Sequence, residues 1–208
     1  MLAYHNKPEL KESVVAEMAA HRKADELVQG YGYWKYGKGC AMGCLIKSGD
    51  HKEYETRFGI PEQLALLEDS IFEGLPKELA QKWPERFLES ITTGADLTRV
   101  WSHFAYWMLI DPEYGQIKYA GKDKAVIDAI IGVANLHKDV TEGKRSAAES
   151  AAWSAARSAA WSAAESAAWS AAWSAAESAA RSAAESAAES AAYIRMADKL
   201  IEIIEEYK

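Results

Sequence analysis

The sequence predicts an all-α protein: a helical globular domain with a Gly- and aromatic-rich insert, followed by one long Ala/Ser-rich helix. Three observations carry this. Twelve consecutive copies of Ser-Ala-Ala-x begin at Ser146, with neither Gly nor Pro among them. Apolar residues from Gly59 onward recur at three- and four-residue spacing. The stretch from Asn6 to Gly30 reads as one further helix, and the stretch that interrupts the pattern, Gly30 to Cys44, reads as a loop.

The first helix is expected to open at Asn6, with Pro8 in its first turn, and to close at Gly30. Its apolar stripe is Val14, Met18, His21, Ala24 and Val28. His21 therefore lies on or beside the buried face, and Asp25 follows it at a helical spacing that lets a carboxylate orient an imidazole. Past the loop, Pro61 starts a helix whose face reads Leu64, Leu67, Glu68, Ile71 and Phe72, and Gly74 ends it. After Lys77 to Trp83, Pro84 starts another, carrying Phe87, Leu88 and Ile91. Asp96 caps a helix with the broad aromatic face Val100, Trp101, Phe104, Trp107, Met108 and Leu109, a pattern of core packing. A loop from Asp111 to Gly121 leads to a helix built on Val126, Ile127, Ile130, Ile131 and Val133, and Thr141 to Lys144 forms a hinge.

These boundaries divide the chain into a domain over 1–144 and a repeat helix with an amphipathic tail over 145–208. Ala is the best helix former, so the repeat suits a rod of roughly 60 residues, or about 95 Å at about 1.5 Å per residue. Each four-residue copy advances by about 40° around a helix of 3.6 residues per turn. Trp153, Trp161, Trp169 and Trp173 therefore wind around the rod rather than share one face. The tail residues Tyr193, Ala197, Leu200, Ile201, Ile204 and Tyr207 form an apolar stripe that must be buried. An unbroken rod carries that stripe too far to reach its own domain, which predicts a homo-oligomer assembled through 145–208.

Composition narrows the functional classes. A net charge of −7, with no basic patch, disfavours nucleic acid and anionic membranes as partners. No apolar run approaches the length that spans a bilayer, and the start MLAYHNKPELKES lacks a signal-peptide core. Two cysteines four residues apart make no disulfide framework, so a reducing cytoplasm is expected.

The chemistry-bearing stretch is GYGYWKYGKGCAMGC, Gly30 to Cys44, with five glycines and four aromatics in fifteen residues. Glycines let backbone approach something flat or phosphate-bearing, which makes His21, Asp25, Tyr31, Tyr33, Trp34, Lys38, Gly39 and Cys40 the candidate ligand-binding set. Three readings fit the cysteines. Small side chains can pack a short element tightly on the first helix; Cys40 and Cys44 can ligate Zn²⁺ with His51 and one further ligand; or Cys40 or Cys44 can be a nucleophile, with His21 as base and Asp25 as orienter. No Walker loop, dinucleotide fingerprint, HExxH or paired C-x2-C element is present, and no cofactor is implied.

The succession HRKADELVQG, a Gly-aromatic loop, GCAMGCLIKSGDH, GIPEQLALLEDSIFEGLP and WPERFL resembles small proteins of bacteriophages and prophages, some of which carry Ser-Ala-Ala-x tracts before a tail similar to AAYIRMADKLIEIIEE. The resemblance implies a role in host interaction. The expectation is therefore a protein that binds and sequesters a small molecule, of nucleotide-signal type, against host defence. The competing expectations are a Cys/His enzyme and a scaffold or protein-protein inhibitor built on the long helix.

Overall fold

The structure is a computed structural model that describes residues 1–144 and 183–208. The tryptophan, arginine and most glutamate positions of the repeat, and with them the single long rod, lie outside the described residues. Those residues form nine α-helices and two 3-10 turns, with isolated bridges in place of any strand. The all-α class holds.

The helices are α1 (Pro8–Lys23), α2 (Ala41–Ile46), α3 (Lys52–Phe58), α4 (Glu62–Gly74), α5 (Lys77–Ala80), α6 (Trp83–Ser90), α7 (Val100–Ile110), α8 (Lys124–Thr141) and α9 (Ala183–Glu206). The chain divides into two compact units. One joins Met1–Trp101 to Glu189–Lys208, and the other comprises Ser102–Ala188.

In the first unit α2 packs on α1 and α4, and α4 also receives α3, α5 and α6. All six residues of α2 are buried. Such a short helix has little stability of its own, so its walls hold it in shape. Prolines open three of the helices where expected: Pro8 begins α1, Pro61 precedes α4, and Pro84 lies in the first turn of α6. The N-terminus is tied across the unit by a 3-10 turn in which Tyr4, His5 and Asn6 all have left-handed backbone, φ 52°, 50° and 57°. Each such residue costs about 1–2 kcal/mol. Tight tethers offset that cost: Tyr4 donates its hydroxyl proton to the Leu88 carbonyl at 2.7 Å, and Ala3 exchanges backbone hydrogen bonds with Gly94 and Ala95 at 2.9 Å.

Two expectations are corrected. The first helix ends at Lys23, not Gly30. Asp25 takes up left-handed backbone, φ 55°, and the chain then runs extended so that Leu27 pairs with Gly39 in a parallel bridge. The pairing satisfies backbone groups that further helix would have satisfied, and it fixes both ends of the glycine-rich loop.

The second correction concerns the tail. Ala197, Leu200, Ile201, Ile203 and Ile204 are buried in the unit formed with residues 1–101. Arg86 pairs with Asp198 at 2.8 Å, and the ring of Tyr193 occupies the space where a Cβ on Gly74 would sit. The stripe is thus buried within its own chain, which the unbroken rod was expected to prevent. Truncating one of these side chains, Leu200→Ala, is expected to cost about 2–5 kcal/mol by the usual transfer and cavity terms. Denaturant unfolding of the full chain measures it, and a loss below about 1 kcal/mol would mean that α9 does not complete this core.

Candidate functional site

The loop from Gly30 to Gly39 is pinned at its base by backbone bonds. Val28 N–H donates to Gly39 O at 2.9 Å, Gly39 N–H to Glu26 O at 3.0 Å, and Cys40 N–H to Gly32 O at 3.0 Å. At its tip Lys35 and Lys38 exchange bonds of 2.7 and 3.0 Å around Tyr36 and Gly37, which both have positive φ, 52° and 76°. This is the backbone sense of the mirror-image two-residue hairpin turn, a place that normally takes Asn-Gly or Gly-Gly.

The loop's aromatic residues have separate fates. The Tyr33 carbonyl fills the space that a Cβ on either Gly39 or Gly43 would need, and its ring does the same at Gly49. That ring also meets the buried His51 edge-on, at 5.3 Å between centroids. Half-buried Trp34 lies under the Lys47 ammonium, 3.9 Å from the ring centroid, with the His21 ring 5.6 Å away and tilted by 70°. Tyr31 and Tyr33 keep part of their surface exposed, and Tyr36 stands 85 % exposed.

His21 is at the centre of a polar cluster. Its Nδ1 bonds the Glu26 carboxylate, its Nε2 is 2.7 Å from Lys47 Nζ, and Glu17 lies at 3.7 Å. An ammonium only donates, so Nε2 accepts from Lys47 and Nδ1–H donates to Glu26. Lys47 also donates to the Cys44 carbonyl, from a left-handed position at the end of α2 with φ 58°. The carboxylate on His21 is thus Glu26. Asp25, expected in that role, is exposed at the corner where α1 ends.

The cysteines are built for packing. Cys40 caps α2, its sulfur accepting from Gly43 N–H at 3.4 Å, and the Cys44 thiol points to the Glu26 and Gly39 carbonyls at 3.7 Å. Burial, reinforced by the neighbouring Asp69 carboxyl, pushes the Cys40 thiol far above its ordinary range. Burial likewise pushes Cys44 up to about 12, against the opposing pull of Lys47. Neither is a thiolate near neutral pH, and the His21 Nε2 that was to act as base is engaged by Lys47. The zinc set of Cys40, Cys44 and His51 is not assembled either: among the described residues no group of three or more His, Cys, Asp or Glu side chains is placed to hold a metal ion.

Sequence reasoning missed the acids under α2. Glu68 is 1 % exposed and neither carboxyl oxygen has a hydrogen-bond partner; one oxygen of Asp69 is also buried without one. Burial, and then Asp69, raises the Glu68 carboxyl well above the usual range. Burial also raises Asp69, while its bond to Cys40 and the nearby His51 pull it back. The signal was present, because Glu68 falls inside the apolar stripe of α4. Lys47 gave no comparable signal, since only the fold brings it to Trp34.

A groove of about 560 Å³ lies elsewhere, along α1 and α6, lined by Lys11, Val15, Ala16, Ala19, Glu85 and Glu89. Its lysine is already committed to the Glu89 and Ile91 carbonyls at 2.8 Å. No described helix is long and apolar enough to cross a membrane. The chain matches no family model, and searches of curated proteins and of solved structures find nothing similar to it.

Two measurements follow from these burials. Both thiols should resist alkylation at pH 8 in the native protein and react on unfolding; rapid native labelling of either would restore the nucleophile reading. Glu68 has a folded pKa above its unfolded value of about 4.3. Its contribution to stability is therefore full below that value and is lost as pH rises through the folded one. Thermal midpoints from pH 5 to 9 should fall for the wild type relative to Glu68→Gln, and parallel profiles would show that Glu68 carries no such linkage.

Proposed function

We propose that this chain is a non-catalytic binding protein whose recognition surface is the lysine-bearing aromatic loop from Gly30 to Gly39. The observation that carries the reading is Tyr36. A tyrosine in left-handed backbone costs about 1–2 kcal/mol, and at 85 % exposure its ring returns almost nothing to stability. Such a residue is explained by what it presents. Lys35 places its ammonium 5.0 Å from the Tyr36 ring centroid and Lys38 flanks it across the turn. The loop from Gly30 to Gly39 contains no acidic residue within a chain of net charge −7.

An aromatic face beside the Lys35 ammonium, with Lys38 in the same turn, suits a planar ligand that carries negative charge. A nucleotide-type small molecule has that chemistry. In the setting implied by the resemblance to bacteriophage and prophage proteins, binding such a molecule would sequester a host signal. The buried thiols and the engaged His21 count against the Cys/His enzyme. The outward stance of Tyr36 favours a second reading, a protein partner with an acid-rimmed pocket, because exposed rigid tyrosines act as anchors in protein interfaces.

Calorimetric titration of the full chain with cyclic dinucleotides, cyclic trinucleotides and ADP-ribose compounds tests the first reading. Micromolar or tighter binding to at least one is expected, weakened at least tenfold by Tyr36→Ala and made salt-sensitive by Lys35 and Lys38. Absence of binding across the panel sinks the nucleotide reading, and binding that Tyr36→Ala leaves intact moves the site away from the loop.

A further inference from the structure

The root of the loop and the docked C-terminal helix meet on the same turn of α4. Gln29 sends its side-chain amide to three carbonyls at the end of that helix: Phe72 at 2.7 Å, Leu75 at 2.8 Å and Glu73 at 3.2 Å. Gly30 N–H then donates to the Glu73 carboxylate at 2.6 Å. The last carbonyls of a helix have no partner within it, so the loop root acts as the cap of α4. In the same turn Gly74 leaves a gap that the Tyr193 ring of α9 fills.

We propose that docking of the C-terminal helix sets the position of the recognition loop through the last turn of α4, residues 72–75. The coupling rests on the reading of that loop as the binding surface. With Tyr193 seated, the turn is held between a ring that packs on Gly74 and an amide that gathers its carbonyls. Without the ring, the turn is the end of a helix and frays as helix ends do. Its carbonyls turn to water, and Gln29 and Gly30 lose the partners that fix where the loop begins. Tyr193 is therefore a positioning residue for the loop, acting through residues 72–75.

Amide hydrogen exchange on the full chain without ligand tests this through Val28, Gly39 and Cys40, whose N–H groups hold the loop closed. Tyr193→Ala should speed their exchange about tenfold while amides of α1 keep their rates, a factor equal to about 1.4 kcal/mol. Gln29→Ala should do the same. The double variant should exchange no faster than the faster single one, because both act through one turn.

Loop rates unchanged in Tyr193→Ala, or rates that multiply in the double variant, would overturn the coupling. Should Tyr193→Ala fail to fold, Tyr193→Leu keeps an apolar side chain and is expected to give a smaller change of the same sign. The readout needs no ligand, so failure of the coupling appears in the exchange rates, whereas failure of the binding reading appears in calorimetry with the exchange pattern intact.

Discussion

The organising constraint is the approach of the Tyr33 main chain to Gly39 and Gly43. Two backbone segments lie so close that no side chain fits at either glycine. That contact seats the loop on α2, and α2 is itself wholly buried against α1 and α4. The order of the aromatic residues follows. With the Tyr33 main chain held against those glycines, Trp34 packs against both Lys47 and His21, and the turn at Tyr36 and Gly37 carries the next ring out to solvent. A loop so fixed holds Tyr36 ordered before any encounter, so binding through it would carry a smaller entropic cost than for a free glycine-rich loop.

Electrostatics separate this loop from the platform beneath it. The exposed loop carries lysines without acids, while Glu68 and Asp69 of α4 lie under α2 beside the Cys40 thiol. A buried carboxylate with no partner would be far too costly to keep ionised, so Glu68 remains a neutral acid. The same low-dielectric surroundings keep both cysteines as thiols. Chemistry that depends on an ionised nucleophile is thus suppressed where the glycines and cysteines had invited it, and the exposed face of the loop carries aromatic rings and lysines instead.

The helical class was legible because proline starts and three- to four-residue apolar spacing report on local physics, as Pro61, Leu64, Leu67 and Ile71 do in α4. The end of α1 was not legible. Ala24 to Gln29 continue a helical pattern, and only the distant Gly39 makes an extended course better for Leu27. His21 was placed correctly near the buried face, but its carboxylate was assigned by helical spacing to Asp25; once the helix stops, that spacing no longer applies and Glu26 takes the position. The cysteines were legible as packing residues and were also compatible with chemistry, because burial, which decides between the two, is a tertiary property. Glu68 was visible inside an apolar stripe, and its meaning depended on the absence of any partner. Docking of α9 escaped sequence reasoning because an unbroken rod was assumed to keep the tail from its own domain.

That docking also bears on the repeat. From Glu189 onward the tail belongs to the unit of residues 1–101, yet it joins that unit only through residues 102–188. Treated as a simple chain, closing a connector of that length costs about 4 kcal/mol, and the cost grows with the logarithm of length, so each doubling adds only about 0.6 kcal/mol. Against it stand Leu200, Ile201, Ile203 and Ile204, buried aliphatic side chains worth about 1.5–3 kcal/mol each. Burial outweighs closure, and one more or one fewer four-residue copy shifts the closure cost by only a few hundredths of a kcal/mol. On that treatment, copy number has little effect on whether the tail stays docked.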